Sequence, residues 1–303
     1  MPRGRAENVF VIGHRGAPRS APENTLESFS EAVARGADAI EADVCVTKDG
    51  YFVLWHDCHP DAKVALARQA SGENYLYEPD VPPAGSPWRR PASELDLPDF
   101  LARHGYVPSD DERGKARVPV ALLEDLFTWA RETPELALVC LDVKLGEKET
   151  GPARDLARLL RDARRAGRIP EGVKVAMLCP RKETLMAALT ESRREPLGDG
   201  IGVFADFEYP GVLDFASRYG ASCVSMGVRR RFWPDFVDEL GAVVAARDAG
   251  RIESVIVWTE NDEERLRELV ALGVDGILTD EPDLLRQIVG ARTGRSEEAE
   301  ASR

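Results

Sequence analysis

Residues 36–57 read GADAIEADVCVTKDGYFVLWHD, and this stretch decides how the first part of the chain folds. Two runs rich in β-branched and aromatic residues flank an Asp49-Gly50 pair. Such a pair is a strong signal for a β-hairpin, because both turn residues must tolerate positive φ angles. If Asp49 and Gly50 are the two loop residues, Lys48 pairs with Tyr51. The sequence therefore predicts two antiparallel strands joined by a two-residue turn.

Counting outward from that turn places Asp43 directly opposite His56. Opposed residues of an antiparallel pair point to the same face, and Glu41, two residues before Asp43, shares that face. We therefore expect two carboxylates and an imidazole to converge. This arrangement suits metal binding or acid–base chemistry.

Apolar strand-like segments alternate with amphipathic helical segments over most of the chain. The return strand of the hairpin cannot join a parallel set, because a parallel crossover needs roughly a dozen residues. Eight strands remain, and eight β/α units predict an α/β fold, the TIM (β/α)8 barrel, with its site at the carboxyl ends of the strands. The predicted strands are Val9–Gly13, Ala37–Asp43, Leu136–Val143, Val173–Leu178, Ile201–Phe204, Ser222–Ser225, Ser254–Trp258 and Asp275–Leu278.

Two predicted helix starts carry a capping-box pattern, in which Asn is followed three residues later by Glu. The pairs are Asn24 with Glu27 and Asn261 with Glu264. We expect both asparagines to be N-caps.

Residues 58–118 interrupt the alternation after the second strand and its hairpin. The segment is rich in proline and aromatic residues, and the pattern predicts only a short helix near Leu97–Arg103. A long irregular segment is usually either functional or disordered. Because this one leaves the active-site end of a strand, we expect it to cap the mouth of the barrel. The predicted organisation is one catalytic TIM-barrel domain at residues 1–292, with 58–118 as the inserted cap segment and a disordered tail at 293–303.

The composition is that of an ordinary soluble globular protein, with 303 residues, 43% of them hydrophobic and 31% charged. The formal net charge of −13 argues against nucleic acid or an anionic membrane as a surface-wide partner. The opening residues MPRGRAEN lead into a strand without an apolar segment long enough for a signal peptide or a membrane span. We therefore expect no stable membrane insertion and a cytoplasmic location. The oligomeric state stays open.

The chain has five cysteines, which is an odd number, and none of them shows CxxC spacing. Most of them fall within apolar strand-like runs, which favours reduced core residues in a cytosolic protein. The five are Cys45, Cys58, Cys140, Cys179 and Cys223.

The candidates for chemistry all fall where a TIM barrel places its site. Taken singly, each has an ordinary alternative, since a His-Arg-Gly is often only a loop and an Asp at a strand end is often only a helix cap. Their convergence on one end of one predicted architecture favours a site. The candidates are His14 and Arg15 after strand 1, Glu41 and Asp43 on strand 2, His56 after the hairpin, Asp142 and Lys144 at the end of strand 3, and Trp258 at the end of strand 7.

Three of these candidates, Glu41, Asp43 and Asp142, are carboxylates that would repel one another in a shared pocket unless a cation binds. Ligation by oxygen alone favours Mg²⁺, Ca²⁺ or Mn²⁺ over Zn²⁺. Arg15 and Lys144 beside the cation would form a small cationic well in an acidic protein, which suits a phosphate.

Other aromatic and imidazole side chains have weaker signals. Trp258 and Trp88, the latter in the cap segment, could each stack on a substrate or serve only in packing. His59 and His104 lie in the cap segment without evident partners, and we expect them at the surface.

Four segments resemble the glycerophosphodiester phosphodiesterase family. They are residues 14–57, HRGAPRSAPENTLESFSEAVARGADAIEADVCVTKDGYFVLWHD, with LDVK at 141–144, VWTEN at 257–261 and GVDGILTDEPD at 273–283. The resemblance implies a TIM-barrel enzyme that hydrolyses small-molecule glycerophosphodiesters to glycerol 3-phosphate and an alcohol. It also implies one divalent cation, Mg²⁺ or Ca²⁺, with Mn²⁺ as an alternative.

Carried over by position, the family's catalytic histidines match His14 and His56, and its phosphate-contacting arginine matches Arg15. The implied reaction is in-line displacement at phosphorus, in which one histidine takes a proton from the nucleophile and the other protonates the leaving alkoxide. The nucleophile is either water or the neighbouring glycerol hydroxyl. The sequence does not decide between them, nor which histidine is the base.

The family's metal-binding Glu-x-Asp matches Glu41 and Asp43, and its third acidic ligand with the following lysine matches Asp142 and Lys144. The family usually has Glu where this chain has Asp142, which is one methylene shorter. Either the metal sits nearer the third strand or a water bridges the gap.

The sequence leaves two alternative functions open. One is a phospholipase D-like or lysophospholipid-cleaving enzyme of the same superfamily, which would call for an apolar rim facing a membrane. The other is a barrel that only binds phosphodiesters, against which the intact set of candidate residues counts.

Overall fold

Strands and helices alternate along the chain in a computed structural model that describes residues 9–71, 76–108 and 116–301. The described strands are β1 (Phe10–Gly13), β2 (Ala39–Val46), β3 (Phe52–Leu54), β4 (Tyr77–Asp80), β5 (Gly105–Pro108), β6 (Val118–Pro119), β7 (Leu138–Val143), β8 (Lys174–Cys179), β9 (Ile201–Glu208), β10 (Cys223–Gly227), β11 (Ser254–Trp258) and β12 (Gly276–Thr279). The described helices are α1 (Leu26–Ala34), α2 (Lys63–Ser71), α3 (Leu97–Arg103), α4 (Leu123–Arg131), α5 (Thr150–Arg165), α6 (Lys182–Arg194), α7 (Val212–Tyr219), α8 (Trp233–Asp248), α9 (Glu263–Leu272) and α10 (Pro282–Ala301).

Eight parallel strands form a closed barrel. Their order is β1-β12-β11-β10-β9-β8-β7-β2, and pairing between β1 and β2 closes the ring. One set of alternate side chains, including Ile12, Leu178 and Ile256, packs inside the barrel. The other set packs against the surrounding helices and forms the larger apolar core. The predicted TIM barrel is confirmed, and β11 begins and ends at the predicted residues.

The hairpin after β2 is present, but its register differs from the prediction by one residue. β3 pairs antiparallel with β2, and Val44 lies opposite Leu54. The Thr47 amide donates to the Tyr51 carbonyl at 2.8 Å, so the loop has three residues, 48–50. Gly50 ends that loop at φ +91°. A left-handed glycine at the last position is typical of three-residue hairpin loops.

The predicted pairing of Asp43 with His56 is therefore wrong. The Trp55 amide donates to the Asp43 carbonyl at 3.0 Å, which places Trp55 opposite Asp43. β3 ends at Leu54, and His56 follows in a turn where the Cys58 amide donates to the His56 carbonyl at 3.0 Å. This turn, and not the ladder register, brings His56 to the mouth of the barrel.

The inserted segment at 58–118 is more regular than the sequence predicts. It contains α2, the predicted α3, and an antiparallel sheet in the order β4-β5-β6. Those strands have two to four residues each, too few for an alternating pattern to stand out. The aromatic rings of Phe100, His104 and Tyr106 surround Trp55 of the hairpin. His104 is buried, contrary to the prediction, and burial lowers its pKa to about 4.

Two of the five cysteines form a disulfide, so the prediction that all five are reduced is wrong. Cys45 on β2 and Cys58 after the hairpin are bonded, with 5.7 Å between their Cα atoms. The return of the chain beside β2 brings them together across a sequence separation of 13. Cys140, Cys179 and Cys223 are buried and unpaired, as expected. The cysteines therefore no longer argue for a reducing compartment.

The last helix, α10, runs to Ala301 and covers most of residues 293–303, where the sequence predicts a disordered tail. This stretch contains several Glu and Ala residues, which are good helix formers. Among the residues that the structure describes, no helix is long and apolar enough to cross a membrane.

Candidate active site

A cavity of about 1080 Å³ opens at the carboxyl ends of the barrel strands. His59, Val64 and Ala65 line one side of it, so the inserted segment forms part of its wall. Asp43 does not line the cavity but contacts Arg15 and Lys144, which do. The predicted site residues that line the cavity are His14, Arg15, Glu41, His56, Asp142, Lys144 and Trp258.

Glu41, Asp43 and Asp142 form an acidic cluster. One carboxylate oxygen from each lies within 4.8 Å of the others. Asp43 on β2 and Asp142 on β7 are register partners, and Glu41 shares their face because it precedes Asp43 by two residues. Asp142 Oδ1 is buried and accepts no hydrogen bond from the described residues. The cluster therefore presents closely spaced oxygens, one of which has no donor.

Burial and mutual repulsion set the charge of this acidic cluster. Burial, followed by the charges of Asp43 and Asp142, raises the pKa of Glu41 well above its usual value. Burial also raises the pKa of Asp142. Burial would raise the pKa of Asp43 as well, but Arg15 and Lys144 lower it well below its usual value. Asp43 is thus held ionised, whereas burial and two neighbouring carboxylates favour the protonated form of Glu41.

Two cations border the acidic cluster. Arg15 Nε lies 3.1 Å from Asp43 Oδ2, and the Arg15 backbone amide donates to Glu41 Oε2 at 2.9 Å. Lys144 Nζ lies 2.5 Å from Asp142 Oδ2 and 3.3 Å from Asp43 Oδ1. Both side chains reach the cavity surface, so their positive charge is available to an anionic ligand.

His14 also lines the cavity and is paired with a carboxylate. Its Nδ1 is 2.8 Å from Asp280 Oδ1, which follows β12. Burial would raise the pKa of Asp280, but the charge and hydrogen bond of His14, with a hydrogen bond from Asn261, lower it to about 2. Asp280 is therefore a stable anion that orients the imidazole.

His56 is also paired with a carboxylate, through Nδ1 at 2.6 Å from Asp57 Oδ1. A carboxylate at Nδ1 favours the tautomer that keeps its proton there and leaves Nε2 as the acceptor. Burial, followed by the charge of Arg15, lowers the pKa of His56 well below 6.5. His56 is therefore a neutral imidazole at neutral pH.

Trp258 lines the cavity with its indole held in place. Its Nε1 donates to Asp206 Oδ1 at 2.6 Å. Asp206 is buried, and burial together with the charge of Asp142 raises its pKa to about 7. Trp88, by contrast, packs against the Arg103 guanidinium, which lies 3.7 Å from the ring centroid, and it does not line the cavity.

The sequence of this chain matches two models of a known protein family. The model of the glycerophosphoryl diester phosphodiesterase family matches residues 14–181, more than half of the chain, and a second model with the same description matches residues 254–283. The chain belongs to the glycerophosphoryl diester phosphodiesterase family. Its enzyme class is therefore that of the phosphoric diester hydrolases, and the two matched ranges contain every predicted site residue.

Relatives of known name agree with membership of the family. A glycerophosphodiester phosphodiesterase from Caldanaerobacter subterraneus is 44% identical over 70 residues, which are 23% of this chain and 26% of the relative. A solved structure from Silicibacter pomeroyi, provisionally described as a family member, has a TM-score of 0.71 and 22% identity and covers 96% of each chain. An Oleispira antarctica phosphodiesterase, solved with the product sn-glycerol-3-phosphate, has a TM-score of 0.65 and 17% identity, covering 92% of this chain and 96% of that one. At these identities the two solved structures show a shared fold.

Two asparagines of this family member do not cap helices as predicted. Thr25 is the N-cap of α1 and Asp262 that of α9. Asn24 instead donates to Asp43 Oδ2 at 2.8 Å and accepts from the Asp43 amide at 2.9 Å. Asn261 makes the same pair of bonds to Asp280, at 2.6 and 2.8 Å. Each asparagine therefore clamps one carboxylate of the site.

A buried ionic chain, also absent from the sequence prediction, links His56 to Arg15. Asp57 Oδ1, bound to His56, accepts from Arg68 NH1 at 2.9 Å. Arg68 NH2 donates to Glu23 Oε1 at 2.5 Å, and Glu23 Oε2 accepts from Arg15 NH1 at 2.9 Å. The one signal in the sequence was Asp57, which directly follows the candidate His56, whereas Glu23 is not beside a candidate site residue or a strand end. Arg68 on α2 carried no such signal.

Proposed function

We propose that the protein is a metal-dependent phosphodiesterase that hydrolyses glycerophosphodiesters to glycerol 3-phosphate and an alcohol. One observation carries the proposal: one cavity is lined by two carboxylate-paired histidines and by Glu41 and Asp142, two members of the three-carboxylate cluster. Membership of the family supports the reaction class. The glycerol 3-phosphate bound by the Oleispira antarctica relative supports the product.

The acidic cluster fits a divalent cation held by Glu41, Asp43 and Asp142. Asp142 Oδ1 lacks a donor among the described residues. Burial and the charges of Asp43 and Asp142 raise the pKa of Glu41, and a bound cation would offset that repulsion. A donor set of oxygens alone favours Mg²⁺ or Ca²⁺, with Mn²⁺ as an alternative. When bound, the cation supplies neutralisation of the phosphodiester charge.

Arg15 and Lys144 are the proposed phosphate contacts. Each lines the cavity beside the acidic cluster, where a phosphate that contacts the cluster also meets their positive charge. Trp258 is the proposed side chain against which the substrate packs, since Asp206 holds its indole on the cavity wall.

The two histidines receive different roles. His56 is neutral at neutral pH and has Nε2 as its acceptor, so we assign it the role of general base. It takes the proton of the attacking group, which is either water or the neighbouring glycerol hydroxyl. His14 then protonates the leaving alkoxide, and the Asp280 anion at 2.8 Å holds its ring in position. The two ring nitrogens Nδ1 are fixed by carboxylates, which leaves each Nε2 for the substrate.

The test is turnover of three substrates by the purified protein: glycerophosphocholine, a lysophospholipid and a generic phosphodiester, each with and without EDTA. We expect glycerophosphocholine to be cleaved fastest, EDTA to abolish cleavage, and Mg²⁺, Ca²⁺ or Mn²⁺ to restore it. The isosteric variant Glu41→Gln should match the EDTA-treated enzyme. Preference for the lysophospholipid would favour the lipid-cleaving alternative, binding without turnover would favour a binding protein, and full activity after EDTA and dialysis would refute metal dependence.

A further inference from the structure

Arg68 is a buried cation that the inserted segment delivers to the catalytic site. It lies on α2, its side chain is 3% exposed, and its guanidinium bridges Asp57 and Glu23. We propose that Arg68 is a positioning residue for the reaction: it holds Asp57 against His56 and Glu23 against Arg15, and so the inserted segment completes the active site. This inference rests on the proposed function, which assigns His56 and Arg15 their roles.

Arg68 contacts Asp57, the carboxylate that is paired with His56. One oxygen, Asp57 Oδ1, receives both His56 Nδ1 at 2.6 Å and Arg68 NH1 at 2.9 Å. The other oxygen, Oδ2, is buried without a donor among the described residues. Burial already raises the pKa of Asp57, and Arg68 is the largest influence that opposes it. Without Arg68 the carboxylate would gain a proton more easily and would hold the imidazole less firmly.

Arg68 also contacts Glu23, the carboxylate that is paired with Arg15. Glu23 is buried and lies between two guanidinium groups, with Oε1 on Arg68 and Oε2 on Arg15. Arg15 itself lies between Glu23 and Asp43. If Arg68 were absent, Glu23 would depend on Arg15 alone, and Arg15 also has to pair with Asp43.

The charge balance shows why the inserted segment matters. Along this ionic chain the barrel loops supply two carboxylates, Glu23 and Asp57, and one guanidinium, Arg15. The fourth member, Arg68, comes from the inserted segment and adds a second guanidinium, which contacts both of these carboxylates. A buried carboxylate without a partner is costly, so docking of α2 and ordering of the site are coupled. A cap that only covered the cavity would not need a buried arginine at this place.

The experiment compares Arg68→Met and Arg68→Lys with Arg89→Met as the matched control. Arg89 is a guanidinium of the same segment, 8% exposed, bonded to Asp61, Gln69 and two backbone carbonyls, and it does not line the cavity. We expect Arg68→Met to lower kcat by about 10- to 100-fold, as loss of a partner of a site residue does, and Arg89→Met to leave kcat unchanged. Added guanidinium ion should restore part of the kcat of Arg68→Met.

A second readout does not depend on turnover. The chain has four histidines, so imidazole nitrogen NMR can follow His56 once a His56→Gln spectrum assigns it. We expect the His56 signals to move in Arg68→Met and to stay in place in Arg89→Met. If Arg68→Met does not fold, Arg68→Lys carries the test. Its single ammonium group cannot hold both carboxylates as the planar guanidinium does, so its kcat should still fall.

The outcomes separate this inference from the proposed function. An active wild-type enzyme whose Arg68 variants keep their kcat and their His56 signals would overturn the positioning role and leave the proposed function standing. An inactive wild-type protein whose His56 signals still respond to Arg68→Met, but not to Arg89→Met, would overturn the proposed function and support the positioning of His56.

Discussion

Asn24 gives the sharpest test of how the acidic cluster is held. The side chain is completely buried and makes two hydrogen bonds to Asp43, one to the carboxylate and one from the backbone amide. Asn24→Ala removes both. Thr25→Ala is the matched control, because Thr25 is the next residue and caps α1 by accepting from the Ser28 amide.

The magnitude follows from the two bonds and the backbone. A hydrogen bond to a charged group contributes about 1.5–3 kcal/mol, and a buried amide left without an acceptor costs about 1–3 kcal/mol. Asn24 also has φ +57°, where Asn is tolerated and Ala costs about 1 kcal/mol more. We therefore expect Asn24→Ala to lower the free energy of unfolding by about 4–7 kcal/mol. Loss of an N-cap in Thr25→Ala should lower it by about 1 kcal/mol.

The assay is urea unfolding together with kcat for glycerophosphocholine. Because Asp43 loses its clamp, Asn24→Ala should also lower kcat by about 10- to 100-fold, whereas Thr25→Ala should leave it near the wild-type value. Equal losses of unfolding free energy and of kcat in the two variants would refute the reasoning. They would mean that Arg15 and Lys144 alone hold Asp43.

The remaining predictions concern the histidines, one carboxylate and the thiols. His56→Ala should lose at least about 100-fold in kcat with little change in thermal stability, and a smaller loss would remove it from acid–base chemistry. Since the pKa of His56 lies well below 6.5, kcat/KM should hold as the pH falls through 6.5 and decline only at lower pH; an acid limb at or above 6.5 would contradict the assignment of His56 as the base. The pKa of Asp280 is lowered from 3.8 to about 2, so this group stabilises the fold above about pH 4 and the contribution is lost as the pH falls toward 2. Asp280→Asn should lower the free energy of unfolding by about 2 kcal/mol near pH 5, and the difference from wild type should shrink with acid; a constant difference would argue against the linkage. Thiol titration of the unfolded protein should find three thiols without reductant and five with it, since one disulfide joins two of the five cysteines. A count of five thiols without reductant would show that all five cysteines are reduced and that the disulfide is absent.

The barrel and the position of its site follow from patterns that are local in sequence. Strand and helix periods alternate eight times, and the carboxyl ends of parallel strands meet at one end of the barrel. Asp142 and Lys144 stand out because charged residues end an otherwise apolar strand. Seven of the eight predicted site residues line the cavity, and Asp43 contacts two of them, Arg15 and Lys144. What each residue does in catalysis is a matter for the assays above.

The predictions of the hairpin loop and of the two N-caps are wrong because, in each case, two local structures that differ by one residue both suit the sequence. A two-residue and a three-residue loop both suit Asp49-Gly50, and the structure takes the longer one. Asn24-Thr25 and Asn261-Asp262 each offer two adjacent capping residues, and the second of each pair caps the helix. The asparagines bind carboxylates on neighbouring strands instead, which are 19 residues away in sequence in both cases. Such tertiary partners leave no trace in a capping pattern.

Long-range contacts account for the other differences. The Cys45–Cys58 disulfide depends on the loop length and on the turn at His56, which together set the distance between the two residues. Arg68 meets Glu23 across 45 residues of sequence, from a helix inside a segment whose short elements give weak periodic signals. Neither the disulfide nor the arginine bridge could be placed before the path of the inserted segment was known.

The most direct test of the central claim is phosphorus NMR of glycerophosphocholine incubated with the wild-type enzyme. We predict that the diester signal is replaced by that of glycerol 3-phosphate, that EDTA stops the conversion, and that His56→Ala slows it by at least about 100-fold. Three results would contradict this prediction. They are persistence of the diester, release of phosphocholine in place of glycerol 3-phosphate, and undiminished conversion after EDTA and dialysis.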